Sequence, residues 1–543
     1  MPKRTDIKLT AEGMPGGTPV GCTITLQVGS IPTATVDLAP DEGGFADVDK
    51  MKRQDASIDL EVQTYVSTIG SKITRKIKFE GLLDGMTIVN SVGSNSYQAV
   101  IKNRAQRLLE LTTLTPGLYP TGINVYRHSD FGITTKGQTE DGKVLSWIPI
   151  SKNVKIDQSS LSYYTELLKE VLKKQKDGWK TFLGREKVLD NSTPFGKIFD
   201  DDRYKKNVNS GLVLFDMLDT SAVDEGKLND LKINKSVLDA IEKLWKAAPN
   251  VLLEHYMSFL SYIGCTLIFS NNKMFVVPDN SVLKKSNSAP SKGKIQSSPN
   301  EAGPADYVSY QYNDNGYRDI AGVVICNDGF VGGTSIGSLN WENGGVGYYM
   351  EDEGLSQASG IYVVQAHPWM ALASRGPSSA DSAKAADRMD KASDPMYKAR
   401  QSMEDAATAT KEDYASKTEK KKETVSQYAK DIFENFAQTK FYQMRYGDRQ
   451  GTITMDFNPN WVPGTGGTLY VRETKSTLTF YVQSVTHHID MSSPNNGTAI
   501  TSVNYCCGRL GKESVGTSED KFLGYNTGKE SSVQKKFLSD MGV

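Results

Sequence analysis

Two adjacent histidines, His487 and His488, are the first residues in the chain with the makings of a metal site. Imidazole nitrogens bind zinc, copper and iron, but only when the ligands converge on one point. The pair lies in a stretch whose apolar residues alternate at Leu478, Phe480 and Val482, which reads as a strand. Neighbours on a strand point to opposite faces, so the two rings cannot chelate one ion, and a structural role is expected for both. His255 has no second His or Cys at ligand spacing. Two acidic clusters, Asp200-Asp201-Asp202 and Glu351-Asp352-Glu353, offer the paired carboxylates that glycoside hydrolysis needs. Neither sits beside a helix of lysozyme type, and the chain has no HExxH, no GxSxG and no supported Cys–His pair. The Gly-dense stretch 328–349 lacks both the Gly-Lys-Ser/Thr ending of a phosphate loop and a GxGxxG that opens a helix, so it reads as a surface loop. Lys169, Lys173, Lys174 and Lys176 fill the outer side of a helical pattern and read as a solvated face rather than an anion site. No residue is assigned a catalytic, cofactor-binding or metal-binding role, and no cofactor is expected.

Composition points the same way. The chain has 543 residues, with 63 basic and 64 acidic side chains. That balance argues against nucleic-acid binding driven by bulk charge, and no sequence-specific nucleic acid is expected as a partner. No apolar run reaches the length of a membrane-spanning helix, and residues 1–13 show no apolar signal-peptide core. Synthesis and folding in a cytoplasm are expected. The five cysteines, Cys22, Cys265, Cys326, Cys506 and Cys507, are odd in number and contain no CxxC. They read as free, mostly buried thiols.

The elements that must position these residues are mostly strands. Ile24, Leu26 and Val28 alternate, a Gly29-Ser30-Ile31-Pro32 turn follows, and residues 35–38 resume the pattern. Strands are expected over 57–69 and 73–79, and the apolar pattern continues through Leu83, Ile88 and Val89. A Gly93-Ser94-Asn95 turn then leads to a strand at Tyr97, Ala99 and Ile101. Ala105, Leu108, Leu109 and Thr112 recur at helical spacing, and Pro116-Gly117 stops the helix. Residues 1–130 therefore read as one all-β unit with a flanking helix. Residues 131–250 read as a mainly helical insertion. Residues 251–375 hold an apolar helix capped by Gly264, a hairpin turning at Asn271-Asn272, mixed strands and the Gly-rich loop. Residues 376–440 are rich in Ala, Lys and Glu and read as one or two long helices interrupted at Pro395. Residues 441–510 form a second small β unit. Residues 511–543 are a polar tail whose Phe522, Leu523, Phe537 and Leu538 favour docking.

One resemblance adds to this reading. Phe79-Glu80-Gly81, residues 91–97 from Ser91 to Tyr97 and residues 104–109 from Arg104 to Leu109 resemble, in order and spacing, the first barrel of phage baseplate hub proteins, which are related to type VI secretion spike proteins. Residues 250–280 and 446–510 resemble further parts of that family, so the resemblance covers about a third of the chain. It implies an α+β, mainly β fold with two small tail-tube-like β-barrels separated by helical and loop insertions.

The resemblance further implies a structural virion protein of the tail baseplate, assembled in the host cytoplasm and without enzymatic activity. It would be a homotrimer that joins a six-fold tail tube to a three-fold central spike. Two barrels per chain, trimerised, give six barrels in a ring, so one subunit type can meet both symmetries. The implied partners are the tail tube protein, the central spike, other baseplate proteins and the tape-measure protein in the channel. The ring would leave a channel for genome ejection with a neutral to acidic lumen. The alternatives are a tail-associated cell-wall hydrolase and a carbohydrate-binding tail protein. The latter is disfavoured because the aromatic residues fall at core positions of the strands.

Overall fold

The structure is a computed structural model that describes residues 4–39, 53–66, 71–91, 94–110, 200–221, 265–278, 307–314, 320–326, 346–350, 360–365, 449–471, 476–492, 497–510 and 530–543, with shorter pieces between them. The long helices expected over 376–440 (apart from a few positions at its end), the loop over 328–345, Glu351-Asp352-Glu353 and His255 lie outside the described residues. The described elements are mainly antiparallel strands with few helices, an α+β, mainly β fold.

The first unit contains β1 (Arg4–Glu12), β2 (Thr18–Gln27), β3 (Thr33–Ala39), β4 (Asp55–Val66), β5 (Ser71–Ser91) and β6 (Ser94–Asn103). A short helix, α1 (Gln106–Glu110), follows. It packs beside α2 (Asp202–Asp216), and buried Arg107 donates to the Ser210 hydroxyl at 2.6 Å. Helical spacing suggested a longer α1. Instead Thr112–Leu114 leaves as a strand that pairs with Pro249–Val251.

A hairpin, β7 (Cys265–Phe269) and β8 (Met274–Pro278), turns at Asn271-Asn272 as expected, but neither asparagine takes positive φ. Asn commonly serves such turns by tolerating positive φ, and that advantage is not used here. Asn271 is buried, and its side chain does the work described below. The remaining labelled elements are β9 (Asn300–Ala302), β10 (Tyr307–Asp314), β11 (Arg449–Asp456), β12 (Gly466–Val471), β13 (Ser476–Asp490), β14 (Thr498–Leu510) and α3 (Glu530–Asp540). The second unit thus draws β9 and β10 from outside residues 441–510.

The two units are joined in one twelve-stranded sheet, ordered β1-β4-β5-β6-β3-β2-β13-β14-β11-β10, with β12 on β13 and β9 parallel to β12. Strand β13 makes the junction. Its first half pairs with β12, from Val471↔Ser476 to Gly466↔Tyr481. Its second half pairs along the same edge with β2, from Gln27↔Ser484 to Gly21↔Asp490. At the changeover Val28 N–H donates to the Gln483 carbonyl at 3.0 Å, and Gly464 N–H to that of Val482 at 2.9 Å. A strand of fifteen residues is long enough to serve two partners in turn.

The apolar positions read by alternation, such as Ile24, Leu26, Val36, Ile101, Phe480, Val482 and Val503, all enter one buried cluster shared by both units. Trp461 stacks on Phe480 with centroids 6.1 Å apart. Helix α3 closes this core with Val533, Phe537 and Met541, and Phe537 lies 5.8 Å from Phe275. A separate three-stranded sheet contains Ile320–Cys326, Val346–Met350 and Gly360–Gln365.

Candidate functional site

The residues singled out for chemistry are dispersed. His487 points into the core, fully buried, with Nδ1 3.0 Å from the Thr501 hydroxyl and its ring 5.4 Å from that of Phe457. Its Nε2 has no hydrogen-bond partner, and burial lowers its pKa to about 3. It is therefore a neutral core histidine. His488 stands on the opposite face, exposed, with Nδ1 3.0 Å from Thr23 Oγ1. Asp201 is the N-cap of α2. It accepts from Arg203 N–H at 2.8 Å and from the Arg203 guanidinium, which holds its carboxyl below the usual range. Lys169 pairs with Asp216 at 2.8 Å. Cys22, Cys265, Cys506 and Cys507 are free and buried, and desolvation pushes the Cys22 thiol up to about 12. Among the described residues no three His, Cys, Asp or Glu side chains form a metal-binding group, and no helix is long and apolar enough to cross a membrane.

What the fold does bring together is a face. The ladder β2-β13-β14-β11-β10 fixes which residues stand side by side. One row runs Thr25, Thr486, Ser502, Thr454, Ser309. The next runs Gln27, Ser484, Asn504, Thr452, Gln311. Thr23 extends β2 on one side, and the pair Gln450↔Asn313 extends β11 and β10 on the other. Their strand neighbours Ile24, Leu26, Val485, Val503, Ile453 and Met455 point the other way into the core. The ten residues of the two rows are all Ser, Thr, Asn or Gln, and the next row of the same face runs Thr23, His488, Ile500, Asp456. Some bond to one another across strands. Thr452 Oγ1 donates to Asn504 Oδ1 at 2.8 Å, Asn504 Nδ2 to Ser484 Oγ at 3.0 Å, and Gln311 Nε2 to Asn313 Oδ1 at 3.2 Å. The second row, with Gln450 and Asn313, borders a cavity of about 720 Å³ that Val28 and Thr266 also line. Asp456 and Asp490 stand at one rim, beyond the two rows.

Reading for apolar periodicity missed this face, because it looked at the other parity of the same strands. The signal was present as the intervening residues of β2, β10 and β11, at Thr23-Thr25-Gln27, Ser309-Gln311-Asn313 and Gln450-Thr452-Thr454. Assembling five such strands side by side requires the pairing order, which local pattern does not contain.

A second constellation secures the back of the sheet. Strand β6 ends opposite Gly81, so the edge of β5 before that residue lacks a strand neighbour on this side. The Asn271 turn and the end of α3 cover it. Lys78 N–H donates to the Met541 carbonyl at 2.6 Å, and Glu80 N–H to Asn271 Oδ1 at 2.8 Å. Asn271 Nδ2 donates to the carbonyls of Lys78 and Asp540, both at 2.9 Å. Asp540 in turn accepts from Asn272 N–H at 2.7 Å and from the Ser270 hydroxyl. The segment expected as a tail thus ends as part of the core.

No protein-family model matches the chain, and no curated protein matches it in sequence. Among solved structures it is similar to a tail protein from Neisseria meningitidis MC58, at 8% identity and a TM-score of 0.37, covering 93% of this chain and 96% of that one. It is also similar to the 43 kDa tail protein of prophage MuSo2 from Shewanella oneidensis, at 9% identity and a TM-score of 0.39, covering 92% and 98%. A third is an Escherichia coli type VI secretion component, described as similar to the bacteriophage T4 tail proteins gp27 and gp5. It matches at 6% identity and a TM-score of 0.28, covering 92% of this chain and 76% of that one.

Proposed function

We propose that this chain is a structural protein of a phage tail, the hub of its baseplate, and that three copies close into a ring around a channel. The observation that carries the reading is the unbroken ladder through β2 and β13. It lays the two β units side by side in one sheet, so three chains offer six units in sequence, which suits a junction between six-fold and three-fold partners. The ends of that sheet, β1 and β10, pair on one side only among the described residues. A strand edge of that kind is a ready surface for a neighbouring chain. The sequence resemblance of residues 76–120 supports the same reading. In it the tail tube, the central spike and the surrounding baseplate proteins are the partners, and genome and tape-measure protein pass through the channel.

The hub reading assigns no catalysis to the chain. Light scattering of the purified protein should give three times the 59.6 kDa chain mass. A monomer at every concentration, also in the presence of its spike, would refute the ring. Incubation with purified peptidoglycan should release no soluble fragments, and clearing of the substrate would favour the hydrolase reading instead.

A further inference from the structure

Across β2, β13, β14, β11 and β10 two complete rows of the outward face contain ten hydroxyl and carboxamide side chains and no charge. At the chain's 23% share of charged residues, roughly two of these ten positions would be charged, and more on an ordinary surface. We propose that this face is the sliding wall of the channel, and that the chain it passes is a linear polyanion with the chemistry of duplex DNA. The inference rests on the ring reading above and adds which surface lines the opening and why.

The physical argument concerns what each kind of side chain would do to a moving polyanion. Lysine or arginine on the wall would neutralise phosphates and release their counterions, which holds DNA in place. Carboxylates across the wall would repel it, and the field of like charges in a narrow opening raises the barrier to entry. Hydroxyls and carboxamides do neither, and they keep a layer of bound water between wall and phosphate. The neutral rows span four strand spacings, about 19 Å from β2 to β10, and the second of them borders the cavity. The nearest carboxylates, Asp456 and Asp490, stand at one rim rather than within the rows. An extended polypeptide suits the face less well. Such ligands bind through backbone pairing at a strand edge, and here the floor strands β13, β14 and β11 each have a partner on both sides.

The test uses particles that carry the full-length variant Thr454→Lys/Thr486→Lys/Gln311→Lys, with Thr454→Gln/Thr486→Gln as control. These side chains point outward, so the core is left alone. DNA release triggered in vitro should slow at least tenfold in the lysine variant, the slowing should fade as salt is raised, and the control should release at the wild-type rate. Wild-type release from particles shown to contain the lysine variant would overturn the inference. So would equal slowing in the glutamine control, which would point to a polypeptide or a steric contact. Exclusion of both variants from particles would place the face between subunits and overturn it as well. Electron microscopy of the same particles separates these outcomes from failure of the ring reading itself, which would show as a hub position without a three-fold opening.

Discussion

The two β units share an inward pattern and differ on the outside. In the first unit, the face formed by β1, β4 and the start of β5 is a ladder of alternating charge. Lys8, Glu61 and Lys76 stand in one row, with Glu61 2.9 Å from Lys76. Lys78 pairs with Glu80 at 2.6 Å, and Arg104 approaches Glu80 and Asp55, each at 3.5 Å. Across β13, β14, β11 and β10 of the second unit, and on β2 beside them, two outward rows are neutral. Strand architecture therefore does not dictate surface chemistry, since the same alternation buries Ile58, Leu60 and Val62 in one unit and Ile453, Met455 and Val503 in the other. Exposed ion pairs of the first kind contribute little to stability, so their arrangement reflects solvation and orientation more than energy.

The comparison can be broken most forcefully at the shared core. Phe480 touches both Trp461 and Tyr505, and truncation to alanine should cost about 3–5 kcal/mol. Because one cluster serves both units, denaturant unfolding followed by two probes should show a single transition shifted as a whole. Separate transitions for the two units would deny the shared core. Next in size is Asn271→Ala. It leaves the Lys78 and Asp540 carbonyls and the Glu80 N–H without their partner, and should cost about 1–3 kcal/mol. Calorimetry would read this as a lowered Tm, and an unchanged Tm would mean the turn does not hold the C-terminal helix.

Acid should act on the two units in different windows. The folded pKa of His487 lies at about 3, below the usual 6.5, so the unfolded chain takes up a proton that the folded chain refuses. Stability is then full above pH 6.5 and falls as pH drops toward 3, by about 1.4 kcal/mol per pH unit. Replacing His487 by phenylalanine should flatten that limb in urea titrations at pH 4 to 7. Glu61 and Glu80 have lowered pKa values, through Lys76 and Lys78 respectively, so their contribution is present above 4.5 and lost only below it. The smallest effect is expected at Glu61→Gln, a slight loss of stability that vanishes in high salt. A larger or salt-independent change would give that ladder a structural weight its exposure does not suggest.

Much of the fold was legible in local pattern. Period-two apolar residues marked β2, β3, β6 and β13, and opposite parity alone placed His487 and His488 on opposite faces. Two other features depend on distant partners. Strand β10 joins β11 across more than 130 residues of chain, and the value of Asn271 appears only when Lys78 and Asp540 come beside it. The segment that forms α3 read as a polar tail with docking residues Phe537 and Leu538, but its dock is built from β5, the β7–β8 turn and the loop at Asn460, whose carbonyl accepts from Gln534 at 2.9 Å. The neutral face escaped notice for the same reason, because it exists only once five strands lie in order.

Electron cryo-microscopy of the assembled hub tests the central claim most directly. The account predicts a three-fold ring in which Ser309, Thr454, Ser502 and Thr486 face the central opening, with Lys8, Glu61 and Lys76 away from it. A ring with that arrangement reversed, or an assembly in which the neutral face is covered by a neighbouring subunit, would contradict it.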